Sequence, residues 1–184
     1  MKKTSTHIDG LYVIKNTCFK DVRGQFMELW NNDNFQKENL KSEFSQDNIS
    51  ISKKHVLRGL HFQNEPYGQT KYVSVIKGKV LDVAVDIRKD SKTFGEHLAI
   101  ELSNKNKYSL WIPAGFAHGF LALEEENIFI YKCSGNYSPQ QEHTIKWNDA
   151  ELKIQWGIDN PIVSEKDNKG ISFEEYKKSN LING

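Results

Sequence analysis

The sequence predicts one mainly-β domain, a sandwich or a barrel. Short runs rich in β-branched, leucine and aromatic residues recur at fairly regular spacing, and turn signals separate them. Helical periodicity is confined to a few short segments. No repeat, linker or low-complexity stretch divides the chain, so residues 1–184 read as a single domain.

Residues 11–19 make the first predicted strand and 25–30 the second, joined by the turn signal Asp21-Val22-Arg23-Gly24. Residues 31–40 carry the clearest early helical pattern, with Asn32 or Asp33 able to cap it. A short strand at 46–52 leads through the basic pair Lys53-Lys54 into a strand at 56–63. After the loop Asn64-Glu65-Pro66-Tyr67-Gly68, strands at 71–76 and 80–87 flank Lys77-Gly78-Lys79 and form a hairpin. The second of these alternates, with Leu81, Val83, Val85 and Ile87 on one face and Asp82 and Asp86 on the other. Further strands are predicted at 97–102, 109–112, 116–123 and 128–133. The tail is less regular: 136–139 reads as loop, 154–156 as at most a short strand, and 173–178 as a helix.

Composition narrows the function classes. The net charge of +1 leaves no basic excess for nucleic acid or for an anionic membrane surface. Cys18 and Cys133 form neither a disulfide framework nor a zinc motif and read as reduced thiols, with a bridge between them left open. The start of the chain lacks the apolar run of a signal peptide, and no stretch approaches the ~20 apolar residues of a membrane span. A cytoplasmic protein is expected.

The chemistry concentrates on Val56-Leu57-Arg58-Gly59-Leu60-His61-Phe62-Gln63. A buried strand gains nothing from a cation and a titratable ring, because burying either without a partner costs several kcal/mol, to order of magnitude. The stretch therefore reads as the wall of a pocket with an anionic ligand and a proton to remove. Side chains alternate along a strand, so Arg58 and His61 point apart in a regular ladder. Both reach one pocket only if the strand is irregular between them, and Gly59 is the residue that permits a bulge. Lys71, His118 and Tyr131 are further polar residues at strand positions where a core prefers aliphatics. If the strands close on one another, a base candidate, cations, a second histidine and a phenol meet in a shared cavity. A metal is the rival reading, but no second histidine neighbours His61, and Arg58 and Lys71 repel a divalent cation.

Each residue taken alone has an ordinary explanation. A strand histidine is usually a hydrogen-bonded core residue, and a buried tyrosine usually fills space with its hydroxyl on a backbone carbonyl. A lysine on an edge strand guards against aggregation. What outweighs these is resemblance. The two most specific pieces are the 56–63 stretch and Trp111-Ile112-Pro113-Ala114-Gly115-Phe116-Ala117-His118-Gly119-Phe120. Asp21-Val22-Arg23-Gly24-Gln25-Phe26-Met27-Glu28, Gln46-Asp47-Asn48, Gln69-Thr70-Lys71, Asp82-Val83-Ala84-Val85-Asp86-Ile87-Arg88 and Ser164-Glu165-Lys166-Asp167 support them.

Over residues 11–167 the chain resembles the dTDP-4-dehydrorhamnose 3,5-epimerase family. The resemblance implies a double-stranded β-helix, a jelly-roll (cupin-like) barrel, that epimerises nucleotide-linked 4-keto-6-deoxy sugars without cofactor or metal. Carried over by position, His61 is similar to the general base, Tyr131 to the general acid, Asp167 to the carboxylate that orients the histidine, and Lys71 to the cation beside the substrate's carbonyl. Arg23, Glu28, Gln46, Asn48, Arg58, His118, Glu142 and Lys166 fall where the family contacts the nucleotide-sugar, and Tyr137 matches a tyrosine close to the sugar. Arg58 and Arg23 suit the diphosphate, and Phe26 suits a stack on thymine. The implied activity is epimerisation at C3 and C5 of dTDP-4-dehydro-6-deoxy-D-glucose, in dTDP-L-rhamnose biosynthesis. Inversion of one carbon only, or a sugar-nucleotide-binding barrel without catalysis, are the alternatives. A homodimer is also implied, with the first strand crossing to the partner and Arg23 or Glu28 completing the partner's pocket.

Overall fold

The computed structural model describes residues 1–179; residues 180–184 of the expected 1–184 domain lie outside the described residues. The strands, in chain order, are β1 (Lys2–Ser5), β2 (Tyr12–Lys15), β3 (Cys18–Asp21), β4 (Gly24–Met27), β5 (Phe44–Lys53), β6 (Leu57–Gln63), β7 (Lys71–Lys77), β8 (Lys79–Asp86), β9 (His97–Ser103), β10 (Tyr108–Ile112), β11 (Phe116–Ala122), β12 (Glu126–Ser134) and β13 (Glu142–Thr144). Three short helices accompany them: α1 (Asn32–Lys37), α2 (Glu165–Asn168) and α3 (Phe173–Lys178). One sheet runs β1-β2-β10-β7-β12-β5 and the other β13-β6-β11-β8-β9, with β3-β4 a separate hairpin. Every named ladder is antiparallel. Two facing antiparallel sheets with chain crossovers between them make the mainly-β jelly roll that the resemblance implies.

Strand alternation decides what lies where. Val73 and Val75 of β7, Val80 and Ala84 of β8, Phe116 and Phe120 of β11 and Phe129 of β12 meet between the sheets as one buried cluster. Phe120 and Phe129 stack across it with ring centroids 4.3 Å apart. The opposite parity of β8 and β11, including Val83, Val85, Ala117 and Leu121, packs outward against Ile145, Leu152, Trp156 and the α3 residues Phe173 and Tyr176. Phe35 of α1 and Leu40 cover the outer face of the other sheet at Ile14, Tyr72 and Trp111. The expected two faces of β8 are therefore both interior. Asp82 and Asp86 are fully buried, and Asp86 is paired with Arg88 and accepts hydrogen bonds from the Ser91 and Thr93 hydroxyls.

Several boundaries differ from expectation for local reasons. The predicted strand at 11–19 breaks into β2 and β3, where Asn16 leaves the ladder and its side chain donates to Ser109 Oγ at 2.7 Å. The strand predicted at 25–30 ends at Met27. The helix predicted at 31–40 shrinks to α1, capped by Asn31 rather than Asn32 or Asp33; Asn39 follows it at φ 58°. Residues 154–156 form no strand, while β1, β13 and α2 carry too little periodicity over three or four residues to be read beforehand. Both cysteines are free thiols. No helix among the described residues is long and apolar enough to cross a membrane.

The irregularity expected at Gly59 is present. His61 pairs with His118 and Arg58 with Phe120, so Gly59 and Leu60 together oppose the single residue Gly119. Gly59 has φ +123°, and a Cβ there would lie 2.6 Å from Gly119 Cα and 2.7 Å from the His118 carbonyl oxygen. Backbone atoms cannot swing aside as a side-chain end can. Gly59→Ala is therefore expected to destabilise the fold by about 2–4 kcal/mol, the sum of left-handed backbone cost and overpacking. Urea denaturation of the purified variant checks this, and an unchanged midpoint would contradict the role given to the bulge.

Candidate active site

Because the bulge cancels the parity difference, Arg58 and His61 both line one cavity of about 210 Å³ between the sheets, together with Lys71, His118, Tyr131 and Glu142. Ser50, Gly119, Phe120 and Phe129 complete its wall. His61, His118 and Arg58 come from β6 and β11 of one sheet, Lys71 and Tyr131 from β7 and β12 of the other. The imidazole and the phenol thus enter from opposite walls.

His61 is held from behind. Its Nε2 lies 2.6 Å from Asp167 Oδ1, and the Gly59 backbone N–H donates to Asp167 Oδ2 at 3.2 Å. Ser164 caps α2, accepting from the Asp167 N–H at 3.1 Å, which brings a nearly buried carboxylate to the base of the ring. Burial alone would raise the Asp167 pKa. The hydrogen bond and charge of His61 and the Gly59 N–H outweigh it, so the carboxyl sits below its ordinary value. A carboxylate on Nε2 fixes which ring nitrogen remains for a ligand, namely Nδ1. A second pair stands beside the first. His118 Nε2 is 3.0 Å from each oxygen of the buried Asp82.

The Lys71 ammonium makes no ion pair or hydrogen bond among the described residues. Burial pushes its ammonium below the usual lysine range, partly offset by the nearby Cys133, Glu142 and Asp82. Tyr131 is shifted the other way. Burial and neighbouring Cys133 raise its phenol, with Arg58 opposing, so the hydroxyl keeps its proton at neutral pH. Glu142 anchors the mouth, accepting from Tyr137 Oη at 2.9 Å and pairing with Lys166. Burial pulls its pKa up, but these two donors and the His61 charge bring it below its ordinary value. Arg58 donates Nε to Ser52 Oγ at 3.2 Å.

The remaining sequence-derived candidates fall at graded distances from this cavity. Tyr137 and Lys166 touch it through Glu142. Gln46 and Asn48 share the inner face of β5, bonded to each other at 2.8 Å. Arg23 and Glu28 lie elsewhere on the same chain. Arg23 is 87% exposed and pairs with Asp21 in the β3–β4 turn, and Glu28 accepts from Asn31 and Asn34. Phe26 on that hairpin is 68% exposed. Ser50 and Asp82 were not singled out from sequence, although Ser50 shares parity with Gln46 and Asn48, and Asp82 had been placed on a polar strand face. No cluster of three or more histidine, cysteine or acidic side chains with metal-binding geometry occurs among the described residues.

A model of the family described as dTDP-4-dehydrorhamnose 3,5-epimerase matches residues 5–175. The chain belongs to that family. A Shigella flexneri protein named dTDP-4-dehydrorhamnose 3,5-epimerase is 48% identical over 174 residues, covering 94% of this chain and 96% of the relative. A Legionella pneumophila epimerase solved in complex with dTDP-4-keto-L-rhamnose superposes with a TM-score of 0.89 at 41% identity, covering 93% of this chain and 92% of that one. A 3'-monoepimerase from Streptomyces bikiniensis in complex with dTDP-quinovose has a TM-score of 0.90 at 28% identity, covering 96% and 90%. The fold is thus one that this chain shares with both a 3,5-epimerase family member and a 3'-monoepimerase.

Proposed function

We propose that this chain inverts C3 and C5 of dTDP-4-dehydro-6-deoxy-D-glucose to give dTDP-4-dehydro-L-rhamnose, in dTDP-L-rhamnose biosynthesis. The observation that carries this reading is the meeting of a carboxylate-held imidazole, a protonated phenol and an unpaired ammonium in one small cavity. His61 takes the proton from a carbon beside the C4 ketone, leaving an enolate. Lys71 stabilises the enolate oxygen, an interaction far stronger in a water-poor cavity than in solvent; its lowered pKa makes it the better donor. Tyr131 returns a proton from the opposite wall, and inversion follows. The net change is one of configuration, so no electrons need leave the sugar and no redox cofactor enters.

Arg58 is assigned to the diphosphate, His118 and Glu142 to the sugar, and Gln46, Asn48, Tyr137 and Lys166 to the rest of the nucleotide-sugar. Arg23 and Glu28 reach a ligand if a second copy supplies them. A homodimer in which the β3–β4 hairpin crosses to the partner gives its exposed Phe19, Val22 and Phe26 a place to pack. The free thiols suit the cytoplasm.

Deuterium exchange tests the reading. Purified protein incubated with dTDP-4-keto-6-deoxyglucose in heavy water should incorporate label at both C3 and C5, read by NMR. Label at one carbon would make the chain a single-carbon epimerase, the reading favoured by its likeness to the 3'-monoepimerase. Label at neither would leave only a binding protein.

A further inference from the structure

The inner face of β5 presents four polar side chains in a row, Gln46, Asn48, Ser50 and Ser52. Three of them are engaged within the protein. Gln46 bonds Asn48 at 2.8 Å, Asn48 also reaches Cys133 Sγ at 3.9 Å, and Ser52 accepts from Arg58 at 3.2 Å. Ser50 Oγ is buried and has no hydrogen-bond partner among the described residues. It stands opposite Phe129 in the β5–β12 register and lines the same cavity as His61, Lys71 and Tyr131.

Packing does not call for a hydroxyl here. Beside Phe120 and Phe129, an alanine would fill the same space without leaving a polar atom unpaired, and an unpaired buried polar atom weakens a fold. A hydroxyl kept at such a cost on a cavity wall is complementary to something that enters the cavity.

We propose that Ser50 binds the C2 hydroxyl of the substrate's hexose, an inference that rests on the epimerase reading and deepens it. The chemistry of the sugar selects this group. In a 4-keto-6-deoxyhexose linked through C1, the free hydroxyls are those on C2 and C3. The C3 hydroxyl swings to the other face when its carbon inverts. C2 is not adjacent to the ketone, so its hydrogen is not acidified and its hydroxyl keeps its configuration throughout. A rigid strand hydroxyl is suited to the group that stays. Held there, the ring turns about a fixed point while C3 and C5 are presented to the base and acid.

Ser50→Ala tests the proposal with two readouts of opposite sign. The thermal midpoint should stay equal to wild type or rise, because an unpaired hydroxyl is removed. kcat/KM for dTDP-4-keto-6-deoxyglucose should fall about tenfold, the loss of one well-made hydrogen bond. With the 2-deoxy analogue of that substrate, wild type and variant should perform alike. A variant within twofold of wild type on the full substrate overturns the proposal, as does a tenfold loss that persists on the 2-deoxy analogue. A lowered midpoint overturns it too, by making Ser50 a packing residue. If wild type itself exchanges no hydrogen on the full substrate, the epimerase reading fails and takes this inference with it. An active wild type with an indifferent variant sinks the inference alone.

Discussion

Replacing His61 with asparagine is expected to lower deuterium exchange at both sugar carbons by about 10²–10⁴-fold, the usual range for loss of a positioned general base. The asparagine amide matches Nδ1 and stops short of Nε2, so Asp167 loses the ring donor, but it keeps the Gly59 N–H 3.2 Å away. The buried carboxylate is not orphaned, and the fold should persist. Asp167→Asn should act through the same ring, since it leaves the imidazole in place but removes the charge behind Nε2 and the hold on its tautomer. The Asp167 carboxyl lies below its ordinary value. Its stabilising charge is therefore fully present above the unfolded value, about 3.9, and is lost only as pH falls through the lower folded value. Titration of this carboxyl should thus leave the rate unaffected between pH 5 and 8. A His61→Asn variant that retained a third of wild-type exchange, with bound nucleotide-sugar verified, would remove His61 from the mechanism.

The parts of this site that sequence made legible are those that violate a strand's own preferences. Arg58, His61, Lys71, His118 and Tyr131 were out of place among aliphatic neighbours, and all five line the cavity. Gly59 was legible for a related reason: it was the one residue able to reconcile the parity of Arg58 with that of His61, and the register slips there. Ser50 gave no such signal, because a serine on a strand conflicts with nothing; its meaning depends on Phe129 opposite and the cavity beside it. Asp82 was visible as one of two acids on the polar face of an alternating strand. Only the second sheet turns that face inward, and single-strand periodicity carries no information about what will cover it. Asp167 came from resemblance alone, since α2 is one turn long and its approach to His61 spans 106 residues of sequence. Arg23 and Glu28 show the remaining limit. They came from resemblance alone, and their contacts within the chain, with Asp21 for Arg23 and with Asn31 and Asn34 for Glu28, carry no sign of a ligand.

Tyr131→Phe should separate two events that His61 variants abolish together. Exchange needs a base and a stabilised enolate oxygen, roles that the proposed mechanism gives to His61 and Lys71. Inversion further needs a proton delivered to the face opposite the base. Tyr131 enters from the facing sheet, and its hydroxyl has no hydrogen-bond partner among the described residues. Burial and Cys133 hold its pKa above the ordinary phenol value, so it is a proton donor across the neutral range. Phenylalanine preserves the ring that packs near Phe129, with centroids 6.0 Å apart in the native chain, and deletes only the proton. Turnover to inverted product should therefore fall by about 10²–10⁴-fold, while wash-in of deuterium with retained configuration falls by less than tenfold. Following label and configuration together by NMR in heavy water distinguishes the two. If exchange and inversion decline in parallel, the phenol acts before or during proton removal and the two-wall mechanism is wrong; if neither declines, the acid is another group.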